Sequence, residues 1–205
     1  MFLSIIIALF LSIAAAKNQG KIIDQIIRIF CIVGVGVPGF WLGIMYMILF
    51  CISLDLFPVS GYGDNFMDHI YHLFLPSLTI ATALSPVLTR NLRSTLIYEM
   101  TADYVDAAKS KGLHDKYIFN KHILKNSLVP TITLLGVNFA WLIGGTVVIE
   151  TVFSIAGLGS LMVSSIFARD YLVVQCVTIF FAVLIIFTNF IVDILTALID
   201  ARINL

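Results

Sequence analysis

Long uninterrupted apolar runs, at roughly 29–54, 73–97, 130–150 and 173–199, leave this chain few ways to fold. Each is long enough to cross the hydrocarbon core of a bilayer as a helix, which takes about 20 residues. In lipid every backbone N–H and C=O needs a partner inside its own segment or in a closed barrel. Barrel strands alternate apolar and polar residues, whereas these runs are continuous, so helices are predicted. Composition agrees: 60% of the 205 residues are apolar and only 12% charged, with 16 Phe and a mean hydropathy of +1.04. Such a chain lacks the polar surface to cover a water-soluble globule, which has about 25% charged residues.

A fifth run, 1–16, is short for a span. Its "IAAA" end suits a signal-peptide cleavage site, yet no basic residue precedes it, and Lys17, Lys21 and Arg28 follow. That order favours a span that ends in the cytoplasm. The connection 17–28 carries three Lys/Arg, 55–72 none, 90–126 seven and 151–172 only Arg169, while Arg202 lies at the C-terminal end. Placing alternate connections on opposite sides puts eleven of the twelve cations in the cytoplasm. The expectation is one all-α domain over 1–205, a polytopic bundle of about five spans, with its N-terminus outside and its C-terminus inside.

Within these spans, "GVGVPGFWLG" offers glycines for close helix contact and Pro38 for a freed carbonyl. The outer segment "LFPVSGYGDNFMDHIYHLFLP" reads as a surface run, with the next helix starting at Pro76. Thr79, Thr82, Ser85 and Thr89 then share one face. They either line a translocation path or bond to their own backbone. Arg90 and Arg93 close this helix and can snorkel to the interface. Asn138 and Asn189 face either a pore or a neighbouring helix. Glu150 reads as an interfacial carboxylate, and Asp193 as either a functional group or a structural pair. Asp68, His69 and His72 are too few for a metal site, and no metal is expected. Cys31, Cys51 and Cys176 have no ligand spacing and read as small buried hydrophobes.

Only 98–129 alternates like a water-facing structure. In "DYVDAAKSKGL", Thr101 or Asp103 is placed to cap a short helix, with acids in its first turn. Val105, Ala108 and Gly112 fall on one face, and Ala107 and Ala108 expose little side chain, so another surface can come close. Gly112 is positioned to end the helix in a left-handed cap. A second helix restarts near Asp115 and runs to Pro130, where the next span is expected. The pattern is an elbow beneath the membrane, suited to docking rather than to catalysis.

"DYVDAAKSKGL…KHILKNSLVP" resembles the cytoplasmic EAA loop of permease subunits in ATP-binding cassette (ABC) importers, and most of all the dipeptide/oligopeptide/nickel branch. Asp106, Ala107, Ala108 and Gly112 keep the loop's spacing, with Asp replacing the usual Glu; His122, Asn126 and Pro130 match its tail. "VPGFWLGIM", "LFPVSGYG", "HLFLPSLT", "GGTVVIETVFSIAGLGSL", "RDYLVVQ" and "DARINL" follow in the order of that branch's B-type permease. Ala156 stands where proline is frequent.

The resemblance implies a type I importer transmembrane domain in the bacterial inner membrane that translocates peptides or nickel. Its implied partners are a second, C-type permease, two ATPase subunits and an extracytoplasmic binding protein, which Arg169 and Asp170 could help to seat. ATP and Mg would be held by the ATPases, with no cofactor on this chain and no nucleic acid among its partners. Asp106, Ala107, Ala108, Gly112, His122 and Pro130 would form the ATPase-coupling region, and Thr79, Thr82, Ser85, Thr89 and Asn138 could line the path. Relative to the family the chain starts inside the second span, and a transport-incompetent fragment is the alternative expectation. No HExxH, GxSxG or Walker A pattern occurs, so no enzyme chemistry is expected of the chain itself.

Overall fold

The computed structural model describes residues 1–199; "DARINL" and Arg202 lie outside the described residues. Among the described residues the regular structure is entirely helical. Helix α1 spans Phe2–Lys17, α2 Ile22–Gly36 and α3 Gly39–Tyr46, and a π-helical turn at Met47–Ser53 extends α3. The 35-residue α4 runs Phe66–Met100, followed by the short α5 (Asp103–Ser110) and α6 (Asp115–Ile118). A second π-helical turn, Phe119–Ile123, leads into α7 (Leu124–Val152), and α8 (Leu158–Phe167) and α9 (Tyr171–Ile199) complete the order.

Two helices, α4 and α9, are long and apolar enough to cross a membrane unbroken. Two further candidate spans are bent: α2 with the α3 segment by 103°, and the Asp115–Val152 stretch by 50°. Helix α1 is apolar but only 16 residues long. The run at 29–54, expected as one span, is therefore two helices meeting at a sharp corner. The corner has a local cause. Proline disfavours helical geometry in the residue before it, and Val37 is extended at φ −91°, ψ 123°.

Two other expected boundaries move. Helix α4 begins at Phe66, ten residues before Pro76, and α7 passes through Pro130 without stopping. Proline removes one donor from the ladder, and membrane helices tolerate this when nearby hydroxyls re-satisfy the backbone. In α4 the hydroxyls of Thr79 and Thr82 donate to the carbonyls of Leu75 and Leu78 at 2.9 Å each, and not to the His72 and Thr82 carbonyls that Pro76 and Pro86 leave without their ladder donor. In α7 the buried Ser127 hydroxyl likewise donates to the Ile123 carbonyl at 2.8 Å, whereas the carbonyl that Pro130 frees is that of Asn126.

Helix α4 is the axis of the structure, packing against α1, α2, α3 and α7. The α1 contact is made by small residues: Ser4, Ala8, Ser12, Ala15 and Ala16 are all buried. Small side chains let two backbones approach, the usual basis of helix association in lipid. Ala8 meets Leu84 and Leu88, and Ala16 meets Leu92 and Leu96. Gly34 of α2 lies so close to Pro86 that a β-carbon there would sit 2.5 Å from the proline Cγ. Helix α9 packs on α7 and α8 and turns apolar side chains outward, among them Ile179, Val183, Ile186 and Phe187. An outward apolar face of this kind is the face a bilayer covers.

Candidate functional site

The elbow grows directly from the end of α4. After Met100 only Thr101 and Ala102 intervene before α5, whose first turn carries Asp103 and Asp106, favourably placed at the helix N-terminus. The N-cap is Ala102 and makes no side-chain cap, so neither Thr101 nor Asp103 caps the helix as expected. The Thr101 hydroxyl instead turns back to the Tyr98 carbonyl at 2.9 Å.

The C-terminal end of α5 follows the sequence expectation closely. Gly112 N–H donates to the Lys109 carbonyl at 2.9 Å and Leu113 N–H to the Ala108 carbonyl at 3.2 Å, the paired bonds of a Schellman motif. Gly112 has φ +77°, the left-handed conformation that glycine adopts without steric cost. Beyond it the His114 ring caps α6, accepting from Lys116 N–H at 3.2 Å.

Helix α5 is two-faced. Val105 is 2% exposed and joins Leu96, Ile118, Phe119 and Ile123 in an apolar cluster, with Tyr104 and Ala108 packed against it. Asp106, Ala107, Lys109, Ser110 and Gly112 are exposed on the other side. The structure thus separates the two alanines that the sequence placed together: Ala107 faces out, whereas Ala108 leans onto the chain's own core. Val105, which the sequence set on the docking face, is buried. His122 stands edge-to-face with Tyr117, their centroids 5.9 Å apart, and Pro130 lies exposed further along, within α7.

Above α5, Glu99 is half-buried near the end of α4. One of its oxygens accepts from the Tyr104 hydroxyl at 2.6 Å and from the Asn126 amide nitrogen at 3.4 Å. Burial, and then the bond to Glu99, push the Tyr104 phenol up to about 12, so it stays a donor at any physiological pH. Sequence reading missed Glu99 and Tyr104, whose five-residue separation is not a helix-face spacing.

A second location lies where the α2–α3 corner faces α4 and α7. Two adjoining clefts of about 270 and 460 Å³ share Pro38, Gly39, Ala83 and Trp141 in their walls. Thr79 fronts the smaller and Asn138 the larger. The Asn138 amide nitrogen donates to the Leu134 carbonyl at 2.8 Å. Thr82 is half-buried, while Ser85 and Thr89 are fully buried, with hydroxyls that find no partner among the described residues.

Two polar contacts outside both places also escaped sequence reading. Arg93, expected to snorkel, instead grips the buried Asp24 of α2 through two nitrogens. Glu150, expected as an interfacial carboxylate, is half-buried and accepts from Ser160 N–H in the first turn of α8 at 2.9 Å. Among the described residues no three His, Cys, Asp or Glu side chains converge as a metal site.

Comparison with known proteins places this arrangement. The chain is 38% identical to the oligopeptide transport system permease protein AppB of Bacillus subtilis, over all of this chain and 67% of AppB. It is 38% identical to the dipeptide transport system permease protein DppB of Lactococcus lactis, over 94% of this chain and 62% of DppB. With the glutathione transport system permease protein GsiC of Salmonella choleraesuis it shares 34% identity, over all of this chain and 65% of GsiC. The chain thus spans about two thirds of the length of the curated relatives it matches. Residues 8–205 match one family from the last turns of α1 to the C-terminus, and the chain belongs to the family of binding-protein-dependent transport system inner membrane components.

Proposed function

We propose that the chain is a permease subunit of an ABC importer for peptides, and that α5 is the handle by which a separate ATPase moves it. The observation that carries this reading is α5 itself: a short helix whose inner face is fixed to the end of the central span and whose outer face presents Asp106, Ala107 and Gly112. A surface of small and charged groups, free of catalytic constellations, is built to be held. The names of the relatives, which speak of oligopeptide, dipeptide and glutathione transport, support a peptide-like cargo.

In this reading two permeases, this chain and an unlike partner, enclose the path, with two ATPases beneath them and a binding protein outside. ATP and Mg are bound by the ATPases. The lysine- and arginine-rich connections lie in the cytoplasm, so the N-terminus is outside and the C-terminus inside. Closure of the ATPases pushes the elbow and rocks the spans between inward-open and outward-open states. Nearly complete reversal of the two populations needs about 5.5 kcal/mol of differential ATP affinity between them. Half-buried Asn138 fronts the larger cleft at the α2–α3 corner and is the residue placed to meet cargo, whereas Thr79, beside the smaller cleft, is fully buried with its hydroxyl turned to the Leu75 carbonyl. His122 and Pro130 lie beyond α5, His122 against Tyr117 and Pro130 within α7, and belong to the coupling region through the resemblance. Thr82 is half-buried, and Ser85 and Thr89, enclosed within this chain, would reach the path only when packed helices part.

The test is uptake by the complete importer in a strain lacking its own peptide permeases. Labelled di- or oligopeptide should accumulate in an ATP-dependent manner. Ni²⁺ uptake without peptide uptake would contradict the cargo assignment.

A further inference from the structure

A handle transmits force only if it cannot swivel, and the links at both ends of α5 are short, non-helical and held by local turn bonds alone. On one side lie Thr101 and Ala102, and on the other Lys111 to His114, with Gly112 at φ +77°. The apolar cluster under Val105 holds α5 down. Apolar contacts are non-directional, however, and do not by themselves fix the angle of an eight-residue helix on its support.

Glu99 supplies the missing direction. Its single oxygen receives the Tyr104 hydroxyl from α5 at 2.6 Å and the Asn126 amide from α7 at 3.4 Å, while its own backbone belongs to α4. Three elements therefore converge on one carboxylate. Among the described residues no cation lies within ion-pair distance of Glu99, so hydrogen bonding is the part its geometry shows it playing. A charged acceptor strengthens the short Tyr104 bond relative to a neutral one, while the 3.4 Å contact to Asn126 is the longer and weaker arm.

We propose that Glu99 is a positioning residue that fastens α5 to α4 and α7, so that all three turn as one body when the ATPase moves. The inference rests on the ATPase-docking reading above. Without the Tyr104–Glu99 bond, motion of the ATPase is absorbed by rotation of α5 about its links, and ATP is hydrolysed without a matching movement of the spans. Tyr104→Phe and Glu99→Ala should therefore uncouple hydrolysis from import while docking persists. Glu99→Gln retains an amide oxygen to accept from Tyr104 and should behave much like the parent.

The experiment uses the complete importer in proteoliposomes with its ATPases and binding protein. It measures ATP hydrolysed per peptide imported, alongside the yield of a disulfide between Ala107→Cys and a cysteine on the ATPase. Tyr104→Phe and Glu99→Ala are expected to raise the ratio about tenfold, the effect of losing one hydrogen bond to a charged group, with the disulfide yield unchanged. Glu99→Gln is expected to stay within about threefold of the parent, since it keeps an acceptor at the same place. Tyr104→Phe removes one oxygen and keeps the ring's packing, so it remains decisive if Glu99→Ala misfolds. A parental ratio in Tyr104→Phe, with the disulfide intact, overturns the clamp and leaves the docking reading standing. No disulfide in the parent complex overturns the docking reading, and the clamp with it.

Discussion

Arg93 of α4 holds Asp24 of α2 in a two-pronged ion pair, its Nε and one terminal nitrogen lying 2.6 and 2.7 Å from the two carboxylate oxygens. Asp24 is 1% exposed and takes a third bond from Gly20 N–H at 3.0 Å. The pair ties the α2 side of the structure to the central helix near the end that leads into the elbow.

Breaking this pair from one side leaves a buried charge without a partner, which costs about 3–5 kcal/mol. Arg93→Ala should therefore lower the thermal unfolding midpoint of the detergent-purified complex sharply. The double variant Arg93→Met, Asp24→Leu should recover most of the loss, because it removes the stranded charge. A double variant as unstable as the sum of the single variants would show that the two residues act independently.

Close packing between α2 and α4 gives a sharper contrast between two glycines. A methyl at Gly34 would enter the space of Pro86, whereas one at Gly36 meets nothing within 4 Å. Gly34→Ala should destabilise the protein by about 1–3 kcal/mol through overpacking. Gly36→Ala should be neutral in the same melt. Pro86→Ala combined with Gly34→Ala should restore part of the stability, since the clashing ring is gone.

How much of this was legible beforehand differs by feature. The spans were legible because lipid demands long apolar runs, and the end of α5 was legible because Gly112 follows a short amphipathic pattern. The corner at Val37–Pro38 was only half legible: proline marked a weak point, but its presence does not state the 103° angle of the turn. Pairings such as Arg93 with Asp24, which lie 69 residues apart, leave no trace in spacing. The inward lean of Val105 and Ala108 was misread because a face built for docking and a face that packs on its own core have the same apolar, small-residue signature. In a membrane protein this ambiguity is general, since lipid and core are equally apolar.

At the far end of α7 from the elbow, Glu150 fastens α8 to α7, and Gly157 makes room for it. A β-carbon at Gly157 would stand 2.4 Å from the Glu150 carboxylate oxygen. Gly157→Ala should therefore displace that carboxylate from Ser160 N–H and loosen α8. Hydrogen exchange at the α8 amides is expected to accelerate while the amides of α4 remain protected. Unchanged α8 protection would show that Glu150 does not anchor this helix.

At the elbow, Gly112→Val forces a branched residue into a left-handed conformation, which costs about 1–2 kcal/mol or more. No neighbouring atom lies within 4 Å of the site, so the effect is on the backbone and not on packing. Membrane insertion should persist while peptide import by the complete importer falls. Asn, which tolerates this conformation, should be the least harmful replacement. Normal import with valine would remove Gly112 from the mechanism.

The most direct measurement is disulfide trapping from Ala107→Cys, on the exposed face of α5, within the assembled importer. The thiol should be reached only from the cytoplasmic side and should yield an adduct with the ATP-hydrolysing subunit that shifts with nucleotide. Labelling of Ala107→Cys from outside the cell, or the absence of any ATPase adduct in an intact complex, would contradict the docking reading.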